Sequence, residues 1–171
     1  DRALERFWIE LIVAAVESVE IVTPYLNPPR VIVAAINRAL TRGVEVTIVA
    51  RIVLYGDLGG RLMTEMNMLF VEAYADKLTI YEYDPPDVVL HTKMLLIDRR
   101  LSIISSVNLN RRSFLHDTEN GLVVLDPAFY NRVRAVFQGY IDQAEQLDTT
   151  DTDIRAITRE LFHSERVRDL F

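Results

Sequence analysis

The sequence predicts an α/β fold, a mixed sheet that starts out parallel and is flanked by helices. Amphipathic helical repeats alternate with short apolar runs along most of the chain. Residues 20 to 50 read as strand, helix, strand, a βαβ unit whose strands should be parallel with a right-handed crossover. Two later apolar runs are separated only by Asp98-Arg99-Arg100, short enough for an antiparallel hairpin. A chain of 171 residues, half of them apolar, is sized for one domain with a proper core.

Taken in order, residues 2 to 17 form a helix, because Leu4, Phe7, Trp8, Leu11, Ile12, Ala15 and Val16 recur at spacings of three and four. Glu20-Ile21-Val22-Thr23 is a short strand. Asn27 is expected to N-cap the next helix with Pro28 at its first position, and Arg42-Gly43 ends it. That gives a helix over 28 to 42 and a strand over 44 to 50. Gly59-Gly60 opens a helix over 61 to 75, whose Met63, Met66 and Met68 read as gap-filling core in preference to a surface for apolar chains. Alternation marks a strand over 78 to 83, and Asp84-Pro85-Pro86-Asp87 leads into a longer one over 88 to 97. Beyond the hairpin loop come a strand over 101 to 106, a short helical or irregular piece around 110 to 117, and a strand over 118 to 125. Asp126-Pro127 caps a helix with Phe129, Val133, Val136, Phe137, Tyr140 and Ile141 on one face. Residues 149 to 153 read as a linker. The chain therefore divides into one domain over 1 to 148 and a C-terminal linker with a docking helix over 149 to 171.

Composition narrows the function classes. Without cysteine there is no disulfide, thiolate metal site or thiol nucleophile. A net charge of −6 argues against a broad non-specific nucleic-acid surface, which needs Lys and Arg to neutralise phosphates. The densest apolar stretch near the N-terminus, 7 to 16, includes Glu10 and falls short of the ~20 residues that a spanning helix requires. No signal peptide is visible. The chain begins with Asp1 instead of Met, as expected of a piece of a longer protein.

The chemistry is concentrated in His91, Lys93, Asp98, Ser106, Asn108 and Glu119. Histidine is a nucleophile or proton carrier near neutrality, lysine a fixed cation for phosphate oxygens, and Ser and Asn are neutral donors. In a strand, residues two apart share a face, so His91 pairs with Lys93 and Ser106 with Asn108. With Arg99-Arg100 as the turn, Lys93 lies opposite Ser106 and His91 opposite Asn108. With Asp98-Arg99 the register slips by two and all four stay on one face, whereas a three-residue loop without a bulge breaks the arrangement.

Alone, a histidine on an apolar strand is more often a satisfied core residue than a catalyst. The neighbouring lysine reverses that, since burying an unpartnered charge costs several kcal/mol. Asp98 has a second reading as a turn residue, and its strand parity points it away from His91. Glu119 is the better candidate to hold the His91 ring in one tautomer. Arg111 and Arg112 are either solvated or contacts for an anionic group. His116 and His163, neither followed by a lysine two residues on, read as structural or exposed.

The spacing of His91, Lys93, Asp98, Ser105, Ser106 and Asn108 resembles the HKD signature of the phospholipase D superfamily. Members usually carry Gly where this chain has Ser105, a change that removes access to positive φ. The run Asn108-Leu109-Asn110-Arg111-Arg112-Ser113-Phe114, with Thr23-Pro24-Tyr25, Arg42-Gly43-Val44 and Glu119, is similar to the C-terminal half of bacterial cardiolipin synthases. The resemblance covers roughly residues 5 to 145. It implies a phospholipase D-like α-β-α sandwich and two facing HKD motifs. One histidine attacks phosphorus to form a phosphohistidine and the other protonates the leaving alcohol.

The resemblance further implies a phosphatidyltransferase or phospholipase acting on glycerophospholipids at a membrane surface, in the bacterial cytoplasm or peripheral to the inner membrane. No cofactor or metal is expected. His91, Lys93, Asp98 and Glu119 are the expected catalytic residues, with Ser106 and Asn108 binding substrate. Only one H-x-K is present, so the partner is a second HKD half in the same parent chain or a homodimer mate. The alternative is a stand-alone homodimeric HKD endonuclease. The acidic charge disfavours nucleic acid as a partner.

Overall fold

The computed structural model describes residues 2–54 and 58–147. The expected linker and docking helix lie outside them. The elements run α1 (Ala3–Ala14), β1 (Ser18–Thr23), β2 (Leu26–Asn27), α2 (Arg30–Thr41), β3 (Glu45–Ala50), α3 (Leu58–Tyr74), β4 (Thr79–Glu82) and β5 (Met94–Ile97). They continue with β6 (Leu101–Ser105), β7 (Leu109–Asn110), α4 (Arg111–Leu115), β8 (Gly121–Leu125), α5 (Pro127–Ile141) and β9 (Glu145–Gln146). Seven strands form one sheet in the order β8-β6-β5-β1-β3-β4-β9, and β2 pairs with β7 in a separate two-stranded ladder.

β1, β3 and β4 are parallel, as the βαβ pattern predicts. β5, β6 and β8 add to β1 as an antiparallel meander. Alternation along each strand divides the core in two. Ile21, Ile48 and Leu95 pack with Ile12 of α1 and Ile36 of α2. Val22, Val49, Met94 and Leu96 pack with Tyr130, Val133 and Phe137 of α5. The result is the expected sandwich, with helices on both faces of a mixed sheet.

Several local expectations shift. α2 begins at Arg30 after Pro29, with no side-chain cap, and Asn27 instead pairs with Asn110 in the small ladder. The second proline explains this, because a residue before proline is driven to extended backbone. Gly59 and Gly60 lie within the first turn of α3 instead of preceding it. Met66 and Met68 are buried core. Arg42-Gly43 ends α2 as expected, with Gly43 at φ 81°, and Asp126 caps α5 by accepting from the Phe129 amide at 2.6 Å.

The hairpin is the main correction. β5 starts only at Met94, and Asp98-Arg99-Arg100 forms a three-residue loop closing Ile97 onto Leu101. Asp98 and Arg99 take φ of 50° and 56°. In this conformation the Asp98 carboxylate reaches across to β1. It accepts from the amides of Val16 (3.0 Å), Glu17 (2.8 Å) and Ser18 (3.1 Å). Its own amide donates to the Ser18 carbonyl at 3.1 Å. These amides belong to the turn between α1 and β1 and to the first residue of β1, where the carboxylate supplies the acceptor they need.

Asp98→Ala should therefore lower stability by about 2–3 kcal/mol, the loss of a charged acceptor shared by several amides. Asp98→Asn, which keeps one acceptor oxygen, should lose less. Urea unfolding of the three proteins checks this.

Candidate active site

β5 begins, β6 ends and β8 begins at one end of the sheet, and there the structure opens into a cleft of about 1070 Å³. His91, Lys93, Ser106, Asn108 and Glu119 all line it, together with Ser105. Asp98, at the far end of β5, does not, and its carboxylate is taken up by the amides of residues 16 to 18. The observed register places Lys93 across from Ser105, whose amide donates to the Lys93 carbonyl at 3.1 Å. Ser106 then pairs with Asn120, its amide donating to the Asn120 carbonyl at 2.9 Å. The single-face arrangement expected from a two-residue turn is thus absent. Convergence survives because the ladder ends at the cleft, where side chains of either parity reach it.

Lys93 is only 6% exposed. Its Nζ donates to the His91 carbonyl at 2.7 Å. Burial lowers its pKa below the ordinary lysine value, and the Glu119 carboxylate pulls it back up. Glu119 does not make the expected contact with the His91 ring. It precedes β8 instead of starting it, and sits beside Asn120, the ladder partner of Ser106. Its carboxylate therefore accepts a short hydrogen bond from Ser106 Oγ. The same Oγ accepts from the Asn120 amide at 3.0 Å. The imidazole of His91 is exposed and makes no hydrogen bond among the described residues.

Asn108 is held from the other side. Its amide donates to Ser113 Oγ at 3.1 Å, and the Ser113 amide donates to Asn110 Oδ1 at 3.0 Å, the cap of α4. Asn108 Oδ1 is buried without a hydrogen bond. Arg112 also lines the cleft and pairs with Asp117 at 3.1 Å. Thr23 Oγ1 accepts from the Leu109 amide at 3.0 Å, tying the Thr23-Pro24-Tyr25 segment to the strand that follows Asn108. His116 is exposed at the end of α4.

The loop that delivers His91 is braced by charge. Arg51 pairs with Asp84 and donates to the Val88 carbonyl at 2.9 Å. Glu82 accepts from the amides of Ile52 (2.8 Å) and Val53 (3.2 Å). Burial raises the Glu82 pKa to about 7, with Asp84 adding to the rise and the two amides and Arg51 opposing it.

Sequence reasoning missed Gly121 as a neighbour of the site. A Cβ there would meet Ser105 Cβ at 2.8 Å. Ser105 is not among the positive-φ residues, so the exchange of Gly for Ser needs no unusual backbone. It needs only the bare glycine across the ladder. An isolated glycine opening a strand is the signal that marks such close approach.

A mixed sheet between helical layers, with a His-x-Lys pair beside Ser and Asn at the sheet's end, defines a phospholipase D-type domain. The chain belongs to the family described as "Cardiolipin synthase, PLD-like domain", which matches residues 8–141. It is 33% identical over 154 residues to cardiolipin synthase A of Pseudomonas aeruginosa, covering 90% of this chain and 30% of that protein. A cardiolipin synthase A of Pseudomonas entomophila is also 33% identical, over 147 residues. The chain thus spans under a third of the length of these relatives. Among solved structures, phosphatidylserine synthase of Haemophilus influenzae superposes with a TM-score of 0.73 at 21% identity, covering 91% of this chain and 40% of that one. Nuc, a phospholipase D family member of Salmonella typhimurium, gives 0.67 at 19%, covering 84% and 90%. Among the described residues no helix is long and apolar enough to cross a membrane, and no cluster of candidate metal ligands occurs.

Gly121→Ala should destabilise by about 1–3 kcal/mol through overpacking, and adding Ser105→Gly should restore most of the loss. Thermal unfolding of the single and double variants checks this. A second expectation concerns pH. Folded Glu82 keeps its proton to about pH 7, whereas the unfolded carboxyl releases it near its ordinary value. Between those points the folded state binds more protons, so stability falls as pH rises and levels off above 7. Unfolding measured from pH 4 to 8 should show a decline of about 2 kcal/mol that is missing in Glu82→Gln.

Proposed function

We propose that this domain supplies one of two half-sites of a phosphatidyltransferase or phospholipase acting on glycerophospholipids through a phosphohistidine. The observation that carries the reading is the convergence of exposed His91, buried Lys93, Ser106 and Asn108 on one cleft in a cardiolipin synthase-type domain. His91 attacks phosphorus, the P–O bond to the leaving alcohol breaks, and a second imidazolium donates the proton to that alcohol. A second alcohol or water then attacks phosphorus, gives its proton to the second imidazole, and breaks the P–N bond, which returns both histidines to their starting forms. Lys93 and the side-chain NH2 of Asn108 balance charge on the phosphoryl oxygens, and Glu119 fixes Ser106 in place.

The second imidazole comes from another half. The wall of the cleft formed by Ile104 and Leu122 is apolar and open to solvent, the two side chains being 41% and 57% exposed. A surface of that kind bordering a one-histidine site suits the packing of a second domain. The length covered in the curated relatives favours a half within the parent chain. A second reading, in which two copies of this chain pair and act on another phosphodiester such as nucleic acid, is favoured by the size match to Nuc.

His91→Ala should abolish phosphatidyl transfer and hydrolysis while leaving the circular dichroism spectrum unchanged, and chelators should leave wild-type turnover intact. Light scattering of the purified chain separates the two readings. A monomer supports the half-site, and a stable dimer that cleaves DNA in a salt-sensitive manner replaces it with the second.

A further inference from the structure

His91 and Thr92 precede β5, which begins at Met94, and Lys93 joins the ladder through its carbonyl, which accepts from the Ser105 amide. Beneath this segment runs a row of anchors directed at α5. Leu90 is 2% exposed and packs with Met94, Leu96 and Phe137 in the core beneath α5. Between Leu90 and Met94, Thr92 Oγ1 meets Tyr140 Oη at 2.6 Å. The Tyr140 ring is itself fixed edge-on against Tyr83, with centroids 5.1 Å apart and planes at 78°. Tyr83 closes the β4 side of the loop that delivers His91, its amide donating to the Ala50 carbonyl at 2.9 Å. Residues 90, 92 and 94 thus turn toward α5, while His91 and Lys93 between them line the cleft.

We propose that Tyr140, acting through Thr92, is a positioning residue for His91 and Lys93. The inference rests on the phosphohistidine reading of the same cleft. The ladder bonds at Lys93 and Met94 and the packing of Leu90 fix the two ends of the segment. Between them the Thr92–Tyr140 hydrogen bond is a directed side-chain contact that sets the orientation of the backbone carrying His91. Because the imidazole has no hydrogen bond of its own among the described residues, its aim depends on the backbone beneath it. Tyr140 touches neither substrate nor the reacting atoms, and its contribution is to the geometry of attack.

The test has two arms. In the first, the His91 imidazole is followed by ¹⁵N and ¹³C NMR in this chain, whose three histidines can be assigned by single substitution. Tyr140→Phe and Thr92→Val should each broaden or shift the His91 resonances, Thr92→Ser should restore them, and Val133→Ala, which weakens α5 elsewhere, should leave them in place. In the second, turnover of the active assembly should fall about tenfold to a hundredfold in kcat, with KM within about twofold, as expected of a misplaced reacting group. The double variant should be no worse than either single one. Unchanged His91 resonances in both hydroxyl-deleting variants, or unchanged kcat despite altered resonances, overturns the proposal. Full turnover in His91→Ala would instead overturn the underlying reading, and the resonance arm tells the two failures apart.

Discussion

The carboxylate of Asp98 is the fastening on which the rest of this domain depends. At the closed end of the hairpin it gathers three amides from the turn between α1 and β1. That bond set joins the first helix, the first parallel strand and the antiparallel meander in a single corner. It also fixes the register of β5 against β1, with Ile97 opposite Val19 and Met94 opposite Val22. Because the two strands are pinned at that end, the other end is where β5 gives way to the freely shaped segment carrying His91. One acidic side chain of the signature thus holds the fold at one end of β5, and the cleft opens at the other.

The layered architecture was legible because it follows from periodicity. The apolar spacing in α1, the alternation in β4, the glycine stop after α2 and the Asp-Pro start of α5 are local signals with a local physical cause. The hairpin register was not legible, because Asp98-Arg99-Arg100 carries no favoured two-residue turn and its loop length is settled by the distant amides of residues 16 to 18. The same distinction holds for the site. His91, Lys93, Ser106 and Asn108 stand out in sequence as polar groups in apolar runs. The partner of Glu119 does not, since it is set by how β8 pairs with β6. The two short strands β2 and β7 escaped notice because two residues are too few for any period.

The electrostatics of the cleft follow from burial more than from charge number. A chain with net charge −6 brings forward one buried ammonium, opposed by one carboxylate that is already engaged with a serine. Desolvation makes Lys93 costly to keep charged, and the His91 carbonyl and the Glu119 carboxylate offset part of that cost. Ser106 and Asn108 contribute dipoles with no such cost, and the orphaned Asn108 oxygen is a small reserve of unmet hydrogen bonding held by the fold around α4.

The edge strand β8 has a consequence for the biosynthesis of the protein. Gly121-Leu122-Val123-Val124-Leu125 contains no charge, proline or bulge, the devices by which natural sheet edges discourage self-pairing. Its outer backbone groups and exposed side chains form a template for any extended apolar strand, including the same strand of a sister molecule. While the chain is being synthesised that edge is bare, so the speed with which it is folded and covered decides between a discrete domain and polymerisation.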